Sequence, residues 1–169
     1  MQTLIRERNV EPQTPQEAFA ALYRDRYGPM VRLAYLLTSN NAVAEELVQD
    51  AFVRVYRKME AGDGGSPAID NPAGYLRQAV VNACRSHHRR RFLEQANEPE
   101  PPGVAQPPEI DEMWSALATL TPKRRTALVL RFYEDLKIDE IAEVMGCSPG
   151  TVKSLVHRGL ASLRKVVES

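Results

Sequence analysis

A proline-rich stretch near the middle of the chain, "LEQANEPEPPGVAQPP" (residues 93–108), constrains the fold more than any other feature. Its five prolines are excluded from the interiors of helices and sheets because each lacks a backbone N–H. Three glutamates and the absence of Lys or Arg are typical of an extended, solvated linker. At about 3.3 Å per residue this segment can reach up to ~50 Å. We therefore expect two separately folded parts joined by a flexible, acidic, proline-rich linker.

The part before the linker is predicted to be helical. The sequence "TPQE" has the form of a capping box with Thr14 as the cap. Gly28 and Pro29 predict a break or kink in the helix that follows. Beyond them, apolar residues repeat at three- and four-residue spacing, as helices buried on one face require. A glycine-rich loop at 61–72 then precedes a helix over about 73–92 that ends in an arginine run.

The part after the linker is predicted to end in a helix-turn-helix. Thr121 is the expected cap of one helix, and apolar spacing marks a short helix over 138–145. Gly146 suits the left-handed exit from that short helix, and Ser148 suits the cap of the next. A last helix over about 149–166 follows a turn of the length that a helix-turn-helix needs.

These patterns predict an all-α protein of two small helical domains, the second ending in the helix-turn-helix. We expect a flexible N-terminal segment at 1–14, a first domain at 15–92, the linker at 93–108 and a second domain at 109–169. No apolar run approaches the ~20 residues that span a bilayer, and the N-terminus lacks the apolar core of a secretory signal. We expect a soluble, cytoplasmic chain that does not insert into a membrane.

The net charge is zero, but the charges are unevenly distributed. Residues 75–93 hold five arginines and no acid, whereas residues 94–112 hold six acids and no Lys or Arg. Residues 149–165 hold four Lys or Arg residues and again no acid. Solvated helix faces normally mix both signs, so the pattern favours two local sites for a polyanion. For the helix over 73–92, a structural helix with a cationic end explains the arginines equally well.

The last helix has a distinct polar face. At 100° per residue, one side is predicted to be buried and consists of Val152, Leu155, Val156, Gly159 and Leu163. The centre of the opposite side consists of Gly150, Ser154, His157 and Ala161, and it is edged by Lys153, Arg158, Arg164 and Lys165. Small or hydrogen-bonding residues at the centre allow close approach to base edges, and flanking cations suit phosphates. We prefer DNA recognition to the alternative of an ordinary solvated face.

Other chemistry finds little support. His87 and His88 are adjacent and face different directions, and Cys84 and Cys147 fit no paired-ligand spacing. The chain has no P-loop, no HExxH and no dinucleotide fingerprint. We expect no metal, no cofactor, no small-molecule substrate and no enzymatic activity.

On the helix that follows "TSNN", Val53 is an apolar residue on an otherwise polar face.

Three ordered segments resemble a known family. They are "AEELVQDAFVRVYRKM", "NPAGYLRQAVVNACRSHHRRR" and "LTPKRRTALVLRFYEDLKIDEIAEVMGCSPGTVKSLVHRGLASLRK". They are similar to the signature segments of bacterial sigma factors, specifically the extracytoplasmic-function (ECF) group of the sigma-70 family. The resemblance covers roughly residues 15–166. It implies a promoter-melting domain and a −35-reading domain separated by a tether.

The resemblance implies three sets of site residues. Those that bind the clamp helices of RNA polymerase would be Glu46, Gln49, Asp50, Val53 and Arg57. Those that contact the −10 element would be Asn71, Tyr75, Gln78, Asn82, Arg85, Arg89, Arg90 and Arg91. Those that contact the −35 element would be Thr151, Lys153, Ser154, His157, Arg158 and Arg164. The family often has Trp where Tyr75 stands, and many members have Arg where Leu155 stands.

The implied partners are core RNA polymerase, through its clamp helices and flap, together with promoter DNA and an anti-sigma factor. The chain would recognise and open promoters while polymerase joins the nucleotides. The alternative is a stand-alone helix-turn-helix regulator, which would bind its promoter without polymerase.

Overall fold

The computed structural model describes residues 14–61, 69–95 and 112–168, all of them in helices or the turns between them. The helices of the first part are α1 (Pro15–Thr38), α2 (Asn41–Ala61) and α3 (Pro72–Gln95). Those of the second part are α4 (Glu112–Ala118), α5 (Pro122–Leu128), which continues into a π-helical segment (Val129–Tyr133), α6 (Ile138–Met145) and α7 (Pro149–Val167). The predicted all-α class is confirmed.

The helix α1 begins as predicted but does not break where predicted. The hydroxyl of Thr14 accepts a hydrogen bond from the backbone N–H of Glu17 at 3.2 Å. Pro29, however, lies inside a helix that continues to Thr38, so of the predicted break or kink the break is wrong. Met30 and Leu33, directly after the proline, are buried in the core that α1 shares with α2 and α3. This packing offsets the backbone hydrogen bond that proline cannot donate.

The turn between α1 and α2 uses two polar residues. Ser39 adopts the left-handed conformation with φ 56° and donates its backbone N–H to Tyr35 O at 2.8 Å. The side-chain oxygen of Asn40 accepts the N–H of Val43 at 3.1 Å, which caps the start of α2. The tight turn aligns the apolar faces of α1 and α2, so that both helices pack against α3.

The helix α3 is longer than the sequence predicts. It ends at Gln95, three residues beyond the predicted end and inside the segment assigned to the linker. The rest of that linker, the predicted N-terminal segment up to residue 13 and the loop residues 62–68 lie outside the described residues.

The second part contains the predicted helix-turn-helix. Gly146 has φ 64° and ends α6, and the hydroxyl of Ser148 accepts the N–H of Thr151 at 3.2 Å to begin α7. Thr121 stands at the cap position of α5, but its side chain makes no capping hydrogen bond. The predicted cap is therefore correct in position only.

The two parts also touch each other. The helix α3 contacts α5 and α6, and α1 contacts α5 and the π-helical segment. In the described part of the chain, no helix combines the length and the apolarity needed to cross a bilayer.

Candidate nucleic-acid interface

The predicted polar face of α7 is exposed. Its small centre and all four edge cations lie at the surface, and on the opposite side Val152 and Gly159 are fully covered while Leu155, Val156 and Leu163 are half-buried. The predicted orientation of the helix is therefore confirmed. The side chains of Lys153, Ser154, His157 and Arg158 can meet a groove together, because residues three and four apart share a helix face.

The first turn of α7 is held by a small hydroxyl pair. Thr151 Oγ1 lies 2.9 Å from Ser148 Oγ, the same atom that caps the helix. This pair fixes the side chain of Thr151 at the N-terminal end of α7, where the helix dipole favours an anion such as a phosphate.

A second polar stripe runs along α3. Gln78, Asn82, Arg85 and Arg89 are all exposed and repeat along one side of the helix, and Arg90 beside them is exposed as well. Two amides that can bond to bases are therefore followed along the stripe by cations that can bond to phosphates.

Asn71 and Tyr75, also predicted to contact the −10 element, are held in place by neighbouring residues at the start of α3. The side-chain oxygen of Asn71 accepts the N–H of Gly74 at 2.9 Å, which caps the start of α3. Tyr75 is half-buried, and Lys58 Nζ lies 4.6 Å from the centre of its ring. The cap fixes Asn71 beside the first turn of α3, and the cation covers one face of the Tyr75 ring.

The face of α2 implied for polymerase binding is exposed along its whole length. It consists of Glu46, Gln49, Asp50, Val53 and Arg57. Val53 is 47% exposed although it is apolar. It borders a groove of about 520 Å³ that is lined mainly by apolar atoms. Val53 is thus one edge of a larger apolar surface.

Aromatic side chains of α1 and α2 form that groove, and the sequence reasoning missed those of α1. The ring centres of Phe19 and Tyr56 lie 4.9 Å apart in an edge-on arrangement, and those of Tyr23 and Phe52 also lie 4.9 Å apart. A hydrogen bond to Glu60 raises the pKa of Tyr56, so the phenol stays neutral and donates to that carboxylate. The aromatic residues at positions 19, 23 and 27 share one face of α1 at four-residue spacing, a signal that could have revealed the groove.

His88 and Cys84 pack within the fold and are not placed to bind a ligand together. His88 Nε2 lies 2.7 Å from the carbonyl oxygen of Leu37. Cys84 is buried, and burial raises the pKa of its thiol to about 12. Within 14–61, 69–95 and 112–168, no group of three or more His, Cys, Asp or Glu residues is placed to hold a metal ion.

Comparisons with known proteins match this arrangement. Residues 22–92 match the family model described as Sigma-70 region 2, and residues 110–163 match the one described as Sigma-70, region 4. One match lies on the helices α1 to α3 and the other on the helices that follow them. They define the chain as a protein of the sigma-70 class.

Individual relatives narrow this class. The chain is 32% identical over 157 residues to an RNA polymerase sigma-E factor of Streptomyces avermitilis, covering 89% of this chain and 86% of that protein. It is 30% identical over 165 residues to the ECF RNA polymerase sigma factor SigE of Mycolicibacterium smegmatis, covering 90% of this chain and 62% of that one. The sigma factor RpoE of Bartonella quintana, solved in complex with the anti-sigma factor NepR, has the same fold with a TM-score of 0.70 at 24% identity, covering 90% and 98% of the two chains. The chain belongs to the ECF group of the sigma-70 family of RNA polymerase sigma factors.

Proposed function

We propose that this sigma factor directs core RNA polymerase to its promoters through three separate surfaces, one on each of α2, α3 and α7. The observation that carries the proposal is that all three faces are exposed and chemically distinct. The face of α2 is mixed polar and apolar, and the face of α3 combines amides with arginines. The face of α7 has small side chains at its centre and cations along its edges. The proposed domains are residues 15–92 and 109–169.

The face of α2 would bind the clamp helices of polymerase. Its charged residues supply orientation, and Val53 with the neighbouring aromatic groove supplies apolar area. Apolar contacts at the centre of an interface, ringed by polar residues, dominate the binding free energy of most protein complexes. The second domain would bind the flap.

The stripe on α3 would bind the unpaired strand of the −10 element. Gln78 and Asn82 would hydrogen-bond to base edges, while Arg85 and the run from Arg89 to Arg91 would contact the DNA backbone. Asn71 and Tyr75, at the first turn of α3, complete this set. Tyr75 would stack on a base with the part of its ring that is exposed.

The exposed face of α7 would enter the major groove of the −35 element. Lys153, Ser154, His157 and Arg158 would contact base edges. Thr151 and Arg164, nearer the two ends of the helix, would contact phosphates.

The chain itself would form and break no covalent bonds, because nucleotide joining belongs to the polymerase. We place it in the cytoplasm, where the polymerase and the promoters are. The Bartonella relative is bound by an anti-sigma factor, and we propose that a partner of this class also restrains this chain.

The test is reconstitution with purified core polymerase on a promoter mapped after overexpression of the chain. We expect specific binding and run-off transcripts only when chain and polymerase are both present. A tight, specific footprint by the chain alone would contradict the proposal and indicate a stand-alone regulator instead. The zero net charge supports our expectation, since free binding to DNA depends on the number of phosphates neutralised.

A further inference from the structure

The last turn of α3 carries two exposed apolar side chains that lie outside the proposed −10 set. Phe92 is 76% exposed and Leu93 is 58% exposed. The last buried residue of α3 is Cys84, although the helix continues to Gln95. Every residue from Phe92 to Gln95 is exposed. The last turn therefore adds no buried side chain to the core of the first domain, and its apolar residues are available to a ligand.

Phe92 continues the polar stripe of α3 in helical phase. The stripe consists of Gln78, Asn82, Arg85 and Arg89. Its members are separated by four, three and four positions, and Phe92 follows three positions after the last of them. At about 100° per residue, Phe92 lies within about 50° of the centre of the stripe, and Leu93 lies about as far on the other side. The Phe92 ring is therefore on the same side of α3 as the residues proposed to bind the −10 strand.

Exposure at the end of a helix does not by itself indicate a binding site. Val167, at the end of α7, is also 70% exposed, but it lies about 110° from the centre of the polar face of that helix. Phe92 differs because three arginines, Arg89 to Arg91, precede it directly and residues 75–93 contain no acid. An aromatic ring beside several cations suits a ligand that is both anionic and aromatic.

A single DNA strand combines these two properties. Its phosphates are anionic, and its unpaired bases expose the flat faces on which aromatic side chains stack. In a duplex the same faces are covered by the neighbouring base pairs. Phe92 has no polar atom that could read a base edge, so its contact would depend on whether the base is unpaired and little on which base it is.

The separation of Phe92 from Gln78 sets the length of strand that the extended stripe covers. The 14 positions between them correspond to about 21 Å at about 1.5 Å per residue. At about 3.4 Å per nucleotide, the spacing along one strand of a duplex, that distance covers about six nucleotides. Tyr75 lies one turn before Gln78, so Phe92 and Tyr75 stand at opposite ends of the bound strand.

We propose that Phe92 stacks on an unpaired base of the promoter, at the end of the −10 stripe farthest from Tyr75. Leu93 widens the apolar surface beside it. Rings at both ends of the stripe hold bases that cannot pair while they are stacked on protein, so the contact favours open over closed DNA. This inference rests on the proposed function of α3 and adds to it a residue that senses strand separation.

The experiment measures how tightly the complex of this chain with core polymerase binds a labelled single-stranded oligonucleotide that carries the −10 element of a mapped promoter. Fluorescence anisotropy gives the affinity. We expect Phe92→Ser and Phe92→Leu to weaken binding about fivefold or more, the effect of losing one aromatic stacking contact. Phe92→Tyr keeps the ring and should bind like wild type. Val167→Ser removes an equally exposed apolar side chain from another helix end and is the matched control, which should also bind like wild type.

Oligonucleotides that lack one base at successive positions identify the partner of Phe92. The loss caused by Phe92→Ser should disappear at one abasic position, because the stack is already absent there and the two changes are not additive. The loss caused by Gln78→Ala should disappear at a different position, up to about six nucleotides away.

The inference is overturned if Phe92→Ser binds the oligonucleotide like wild type, or if Phe92→Leu binds like Phe92→Tyr, since an aromatic face would then not be required. A loss that persists with every abasic oligonucleotide would also overturn it, because Phe92 would then act through phosphates or through a contact with polymerase. Failure of the wild-type complex to bind any of the oligonucleotides would instead refute the proposed function of α3, and the stacking contact with it. Thermal melts should show unchanged stability in every Phe92 variant, as expected for an exposed side chain.

Discussion

Arg125 of α5 donates a hydrogen bond from Nη1 to the carbonyl oxygen of Leu37, the penultimate residue of α1, at 3.2 Å. The same guanidinium donates to the carbonyls of Leu117, Ala118 and Leu120, where α4 ends. Arg125 is only 8% exposed. A single cation therefore satisfies the carbonyl ends of two helices from different domains.

We predict that Arg125→Met destabilises the second domain by about 2–4 kcal/mol, because several buried carbonyls lose a charged donor. Urea unfolding followed by circular dichroism would measure the loss. Arg124→Met is the control: Arg124 is half-buried and donates to Ser162 at 3.3 Å, so its removal should cost less than about 1 kcal/mol. Equal losses in both variants would contradict the role given to Arg125.

His88 makes the stability dependent on pH. Burial lowers the pKa of His88 below its ordinary value, the nearby Arg125 and Arg91 lower it further, and the bond to Leu37 O only partly opposes them. The bond to a carbonyl requires Nε2 to carry the proton in the neutral ring. As the pH falls through about 6.5 the unfolded chain takes up the proton first, so the folded state loses stability.

The measurement is urea unfolding of wild type and His88→Gln between pH 7.5 and pH 5. We expect wild type to lose stability over this range and the variant to lose less. The pKa of His87 is also lowered, mainly by burial, so His87→Gln serves as the comparison. If the pH dependence of the unfolding free energy persisted in His88→Gln but disappeared in His87→Gln, it would arise from His87 and the role given to His88 would be wrong.

The aromatic groove yields a prediction about polymerase binding. Tyr23 is exposed at the edge of the groove and stacks on Tyr27 at 5.0 Å. We expect Tyr23→Ser to weaken binding to core polymerase by about tenfold, since truncating an aromatic anchor commonly costs more than 1 kcal/mol. Phe132→Ser removes an exposed aromatic ring of the second domain and is the control for nonspecific effects. Unchanged affinity of Tyr23→Ser would exclude the groove from the interface.

The division of labour between domains can be tested with single substitutions. Lys153→Ala and Arg158→Ala should lose promoter-specific transcription and keep polymerase binding, whereas Asp50→Ala and Val53→Asp should weaken polymerase binding. Arg164→Ala, which removes a proposed phosphate contact, should instead lower the slope of log affinity against log salt by about 0.9. Competition for core polymerase and run-off transcription separate the two effects. If both sets weakened polymerase binding equally, the assignment of surfaces would be wrong.

Local patterns predicted the orientation of α7 and the caps at Thr14 and Ser148 because each depends on residues within one or two turns. The break at Pro29 was wrongly predicted because the packing that sustains α1 comes from α2 and α3. The spacing of the α1 aromatics was visible in the sequence, but which residues of α2 face Phe19 across the groove depends on how the two helices pack. Likewise, nothing near Arg77 in the sequence identifies Glu134 as its partner 57 residues away.

Two glycines of α7 should respond oppositely to the same substitution. A Cβ atom on Gly159 would lie 2.9 Å from Leu128 Cδ1, so Gly159→Ala should cost about 1–3 kcal/mol by overpacking the contact between α5 and α7. On Gly150 the nearest atom would be Ser148 Oγ at 3.9 Å, and Gly150→Ala should leave the helix as stable or up to about 1 kcal/mol more stable.

The two substitutions should affect transcription in the opposite way to stability. Gly150 lies at the centre of the face proposed to meet base edges, so its added methyl group should impair −35-dependent transcription in a protein that is no less stable. Gly159→Ala should instead lose transcription only in proportion to the unfolded fraction, and lowering the assay temperature should restore it. Urea unfolding and run-off transcription at two temperatures measure both effects. Full activity of Gly150→Ala would show that DNA does not approach this part of α7 closely.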